Sequence, residues 1–124
     1  MFTAGRAAYR LNGVSIAMDV APYIRDGRMM VPLRYAAEAL GVNGEGIAWD
    51  ERDQSVALTK GSLSAIFTAG STRLIARGVP VTMDVAPELV NGRLVLPVRW
   101  VGLALNGYTY WDESAQEAII TSQW

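Results

Sequence analysis

Short stretches of alternating apolar and polar residues run along the chain, broken at close intervals by glycine, proline and asparagine. The alternation predicts strands over residues 7–11 and 14–18, and again over 72–76 and 79–83, joined by tight turns at Asn12-Gly13 and Arg77-Gly78. Asp26-Gly27 and Asn91-Gly92 lie between apolar runs. Both dipeptides favour the type I′ turn, whose two central residues need positive φ. They predict hairpins pairing 23–25 with 28–31 and 88–90 with 93–96. Pro22 and Pro87 hold the alanine before them extended. Pro32 and Pro97 suit a first helical turn, where a missing N–H costs nothing. Helices are predicted over residues 32–40 and 97–105, stopped by Gly41 and by Asn106-Gly107. Leu33, Ala36, Ala37 and Leu40 form one apolar stripe on the first. Further strands are predicted at 47–49, 55–59, 62–66, 109–111 and 118–122.

The two halves of this pattern are written in the same words. Sliding the chain by 65 residues aligns Phe2-Thr3-Ala4-Gly5 with Phe67-Thr68-Ala69-Gly70, and 17 of the 39 positions from 2 to 40 are identical. Met-Asp-Val-Ala-Pro recurs at 18 and 83, Gly-Arg at 27 and 92, Pro-x-Arg at 32 and 97. Trp49-Asp50-Glu51 matches Trp111-Asp112-Glu113 at an offset of 62, so the second copy is three residues shorter after the shared Ala-Leu. The reading is a tandem repeat, 1–61 and 62–124. A unit of roughly 60 residues is marginal alone, which favours one compact pair. Each copy reads as a meander of short strands with one helix, an α+β arrangement.

The apolar fraction of 51% and charged fraction of 19% describe a globular chain. A formal net charge of -1 without a basic run argues against nucleic acid, whose binding rests on neutralised phosphates. No apolar run approaches the roughly 20 residues of a membrane span. Cysteine and histidine are absent, which removes disulfides, thiol nucleophiles, imidazole ligands and the usual general base. No nucleophile–base pair can be assembled, so an enzyme is the last reading. No cofactor is expected.

The combination Asp19-x-Ala21-Pro22, Asp26-Gly27-Arg28, Val31-Pro32-Leu33-Arg34, Glu38-Ala39-Leu40-Gly41 and Trp49-Asp50, with its second copy, resembles the copper amine oxidase N-terminal-like (stalk) domain. The resemblance covers nearly the whole chain. It implies a small antiparallel sheet curled around one short helix in each unit, and a bacterial secreted or cell-surface setting. In the enzyme that lends its name, this domain lies outside the copper and quinone site. The oxidase activity therefore does not carry over to a chain without histidine.

Asp19, Pro22, Gly27, Pro32, Arg34, Trp49 and Asp50, with Asp84, Pro87, Gly92, Pro97, Arg99, Trp111 and Asp112, make the repeated structural motif. Arg34 and Arg99 with Asp50 and Asp112 read either as a duplicated anion site, or as structural ion pairs or Arg stems packed over the tryptophans. Asp19 and Asp84 are expected to bond the turn before their prolines. Trp49 and Trp111 are read as core. The acidic stretches after them lack the spacing and central glycine of a calcium loop, and read as solvated hairpin turns.

The copies differ where an interface is expected. Glu38 becomes Leu103, Ala37 becomes Gly102, and aromatic residues gather at Trp100, Tyr108, Tyr110, Trp111 and Trp124. Phe2, Trp100, Gly102, Leu103, Ile119 and Trp124 are the candidate interface. Copy one has only Met1 before Phe2, and residues 118–122 have no following strand, so both ends are expected to be unpaired edges. The resulting reading is a non-catalytic structural or interaction module whose partner is a protein or a second copy. The alternatives are head-to-tail assembly by strand addition and binding of a cell-wall polysaccharide.

Overall fold

The computed structural model describes residues 1–11 and 13–122. In chain order the first half comprises β1 (Phe2–Thr3), β2 (Ala8–Leu11), β3 (Val14–Ala17), β4 (Tyr23–Arg25), β5 (Arg28–Pro32), α1 (Leu33–Ala39), a 3-10 turn (Gly44–Gly46), β6 (Ile47–Asp50) and β7 (Ser55–Lys60). The second half follows with β8 (Leu63–Thr68), β9 (Arg73–Ala76), β10 (Val79–Thr82), β11 (Glu88–Val90), β12 (Arg93–Pro97), α2 (Val98–Ala104), β13 (Gly107–Asp112) and β14 (Glu117–Ser122). Element positions recur at the offsets of the sequence pattern.

Local chemistry accounts for the turns. Asp26 and Gly27 take φ of 51° and 76°, and Asn91 and Gly92 take the same values, as a type I′ hairpin requires. Pro32 and Pro97 cap the helices from just outside, with φ of -60° at each. Gly41 follows α1 at φ 88°, in the left-handed region where a side chain would be strained, and Lys60 Nζ donates to the Leu40 carbonyl at 2.5 Å. Asn106 serves the same left-handed role after α2, at φ 61°.

Strand pairing departs from the expectation of one sheet per unit. One five-stranded sheet runs β13-β14-β1-β2-β3 and its counterpart runs β6-β7-β8-β9-β10, so each takes two strands from one half and three from the other. A four-stranded sheet, β4-β5-β12-β11, lies between the halves, with Val31 opposite Leu96 at its centre. These two residues are equivalent by the 65-residue offset, and the pairs beside them, Met30–Pro97 and Pro32–Val95, exchange under it. A pseudo-two-fold axis therefore passes through the middle of β5 and β12.

The expectation of two unmatched termini is corrected by the same topology. β14 pairs with β1, Ala118 opposite Phe2 and Glu117 opposite Thr3, as β7 pairs with β8 through Val56–Phe67 and Ser55–Thr68. The two ends thus pair with each other within one molecule, at two positions. β1 is nevertheless the shorter strand, two residues against six in β8.

Most of the core is one cluster, in which the inner faces of the sheets meet Leu33, Ala36, Ala37 and Leu40 of the first helical segment and Val98, Val101, Ala104 and Leu105 of the second. Phe2 is fully buried and stacks on Tyr9 at 4.8 Å between centroids. Such pairs are worth about 0.5–1.5 kcal/mol beyond the area they bury. A second, smaller cluster of Val20, Met30, Val85 and Val95 sits on the axis, on the opposite face of the central sheet.

Candidate binding cleft

Ion pairs close the axis from outside. Arg93 Nε donates to Asp19 Oδ2 at 2.6 Å, and Arg28 donates to Asp84 Oδ2 through both Nε and Nη2 at 2.7 Å. Each pair joins the Asp of one Met-Asp-Val-Ala-Pro segment to the Arg of the other half's Gly-Arg. The aspartates, expected to bond the turn before their own prolines, instead reach across to the arginine of the other half. Trp100 Nε1 also donates to Asp84 Oδ1 at 2.9 Å, and this indole bond, ahead of Arg28, holds the Asp84 carboxyl below its ordinary range. Tyr23 and Glu88 are equivalent positions bonded to each other. The Tyr23 hydroxyl donates to Glu88 Oε1, and Arg25 Nη1 meets Oε2 at 2.5 Å. Burial, followed by the Glu88 carboxylate, pushes the Tyr23 phenol up.

Two clefts flank this axis, and their linings correspond residue by residue at the sequence offsets. One is lined by Leu33 and Arg34 of α1, Ile47 and Trp49 of β6, Val56 of β7, and Gly92, Arg93 and Leu94 of the other half's hairpin. The other has the equivalent residues: Val98, Arg99, Thr109, Trp111, Ala118, Gly27, Arg28 and Met29. The second is also lined by Pro97, Leu103, Gly107, Tyr108 and Tyr110, and encloses about 550 Å³ against about 300 Å³.

Trp49 and Trp111 are 47% and 46% exposed, which overturns their reading as core. Each sits on the outermost strand of its sheet, where the side chain faces the cleft instead of a covering layer. Arg34 does not pair with Asp50. It pairs along its own helix with Glu38 at 3.3 Å, while Asp50 accepts the backbone N–H of Arg52 at 3.0 Å. Asp112 likewise accepts from the Ser114 hydroxyl at 2.7 Å and from the Ala115 N–H, which lower its pKa. Arg99 has Leu103 where Arg34 has Glu38, and among the described residues it makes no ion pair or hydrogen bond.

The candidate interface residues separate by placement. Leu103 is exposed on the cleft wall, and Ile119 is exposed opposite Tyr110 on the outer face of the β13–β14 pair. Trp100 is half-buried and spends its N–H on Asp84. Phe2 is core, so it is not a surface residue. Gly102 is also buried: a Cβ there would come within 2.9 Å of Thr109 Cγ2, so its smallness serves the close approach of α2 to β13. Trp124 lies outside the described residues. Pro22 and Pro87 stand immediately before β4 and β11, Gly27 and Gly92 in the hairpin turns, and Pro32 and Pro97 at the helix caps.

Arg28 and Arg93 were read only as part of the repeated Gly-Arg, and Tyr23 and Glu88 were not singled out in the sequence. The signal for the arginines was present, because both Gly-Arg dipeptides and both aspartates are identical between halves. Among the described residues no group of three or more Asp or Glu side chains could hold a metal ion, and no helix is long and apolar enough to cross a membrane.

Fold and cleft define a small β-rich module with two short helices, whose larger cleft is lined by aromatic and cationic side chains. A profile of the copper amine oxidase N-terminal domain matches residues 10–120, and the chain belongs to that family. The family is a non-catalytic accessory domain. No curated protein and no solved structure matches the chain.

Proposed function

We propose that the chain is a tandem-duplicated, non-catalytic interaction module of a bacterial secreted or cell-surface protein, and that it presents the cleft between α2 and β13 to a partner. One observation carries this reading. The same cleft is built twice, and three differences between the halves enlarge and recolour one of them: Leu103 for Glu38, Tyr108 for Gly46 and Tyr110 for Ala48. Exposed aromatic side chains around an unpaired arginine are the composition of interaction hot spots. The Asp–Arg pairs across the axis hold the two clefts in fixed relation.

The test is a titration of the isotope-labelled chain, followed by NMR, with two probes: soluble peptidoglycan fragments and a pool of linear peptides. Shifts at Leu103, Tyr108, Tyr110 and Trp111 with either probe, absent when Leu103→Glu, Tyr108→Gly and Tyr110→Ala are combined, support it. If neither probe moves those signals, the reading falls. A peptidoglycan response alone would select the glycan-binding alternative.

Assembly by strand addition is the second reading, because β14 pairs with β1 at only two of its six positions. Sedimentation across concentration tests it, and a constant monomer mass removes it.

A further inference from the structure

We propose that the enlarged cleft takes an extended peptide carrying a carboxylate, added as a sixth strand along the free edge of β13. This rests on the interaction role proposed above and names its ligand.

Five consecutive residues, 107–111, line the cleft. Successive side chains of a strand point to opposite faces, so a cleft that touches all five runs along the strand's edge and meets its backbone. Among the described residues β13 is the terminal strand of its sheet, paired with β14 alone. A row of unpaired N–H and C=O groups therefore faces the cleft, about 16 Å long at about 3.3 Å per residue. Natural edges are usually blunted by lysine, proline, a bulge or a covering segment. The edge strand β10 has Pro80, whereas residues 107–111 contain no charge and no proline.

The matching edge in the first half is shortened. There the longer connection after α1 forms the 3-10 turn, held by Asn43 Oδ1 accepting from Glu45 and Gly46, and β6 begins only at Ile47. The second half is three residues shorter at this point, and β13 begins two residues earlier in the equivalent frame, at Gly107. The shortening bares additional edge.

Charge selects the ligand. Arg34 is neutralised by Glu38, whereas Leu103 in the equivalent place leaves the Arg99 guanidinium without a carboxylate. Arg28 on the opposite wall is already engaged by Asp84. A strand entering between them meets backbone partners along one side, apolar surface at Leu103 and Trp111, and one cation seeking an acid. Backbone pairing supplies affinity and the side-chain contacts supply specificity.

The experiment selects random linear peptides displayed on phage against the intact chain, then maps the enriched peptides by NMR. Enriched sequences should hold Asp or Glu among β-branched or aromatic residues and should shift β13 and α2. Leu103→Glu rebuilds the ion pair the first half already accommodates, so the variant folds, and it should weaken those peptides at least about tenfold. N-methylation of alternate peptide amides should abolish binding without altering the protein. No enrichment, basic or neutral consensus sequences, shifts elsewhere, or indifference to N-methylation would each overturn the proposal. Shifts at β13 that follow the chain's own concentration would assign the edge to a second copy. If peptidoglycan fragments move the cleft signals and peptides do not, the peptide is wrong and the interaction role stands; if neither moves them, both fall.

Discussion

Arg28 and Asp84 lie 56 positions apart and meet in a two-pronged ion pair at 2.7 Å, while Arg93 and Asp19 form the reciprocal pair across the same axis. This is the arrangement of an isologous interface, in which residue i of one unit contacts j of the other and j contacts i. Here a continuous chain carries both sides. That continuity allows Tyr23 and Glu88, equivalent positions, to differ and to bond each other.

The two ion pairs should contribute unequally. All four side chains are more than a third exposed, so solvent screening keeps the contribution of each pair small. Asp84 also accepts from Trp100, and losing a bond to a charged acceptor costs about 1.5–3 kcal/mol before exposure is discounted. Asp84→Ala should therefore destabilise by about 1–2 kcal/mol, and Asp19→Ala by clearly less. Urea unfolding of the singles and of each Asp/Arg double variant measures this. Equal costs at the two sites would refute it.

The pH dependence follows from the directions at Asp84 and Tyr23. Asp84 is lowered by Trp100 and Arg28, so its contribution is present above the ordinary carboxylate pKa of about 3.9 and is lost as pH falls through the folded value. Tyr23 is raised by burial and by Glu88, so its contribution is present below about pH 10 and is lost as pH rises toward the folded value. Thermal unfolding should show Asp84→Asn flattening the acid limb and Tyr23→Phe flattening the alkaline limb. A parallel offset across the whole pH range would contradict both assignments.

Gly102→Ala tests the close approach of α2 to β13. A helix interior gains up to about 1 kcal/mol from Ala over Gly. The new methyl, however, would meet Thr109 Cγ2 at 2.9 Å, and overpacking costs about 1–3 kcal/mol. The net expectation is a loss of about 1 kcal/mol, relieved by adding Thr109→Ser, which removes the opposing methyl. A rise in Tm for Gly102→Ala alone would show that the contact relaxes without cost.

Phe2→Ala should be the costliest of these changes, about 3–4 kcal/mol, because a fully buried ring stacked on Tyr9 is lost where the terminal strands join. Phe67→Ala, the equivalent change in the longer β8, should cost a similar amount. Hydrogen exchange separates the two: Phe2→Ala should open β14 and β1 first, leaving β7 and β8 protected, and uniform loss of protection would count against the local reading.

What could be read in the chain was whatever a few adjacent residues decide. Asp26-Gly27 and Asn91-Gly92 adopt the turn that their tolerance of positive φ allows. Pro32 and Pro97 sit at the helix starts, Leu33 to Leu40 bury the stripe their spacing describes, and the 65-residue offset recurs in the elements. The difference at Glu38/Leu103 was read as an interface, and the structure places Leu103 on the wall of the larger cleft. Strand partnership beyond the local hairpins was out of reach of such reading, because it depends on segments distant in sequence. β14 looked unpaired because its partner β1 stands at the other end of the chain. Trp49 and Trp111 looked like core because burial depends on which strand ends the sheet. Local sterics and hydrogen bonding set the turns, caps and helices from the sequence alone. Only the tertiary structure decided which halves share a sheet, which aspartate meets which arginine, and which edge lies open, because each is a long-range pairing chosen by packing.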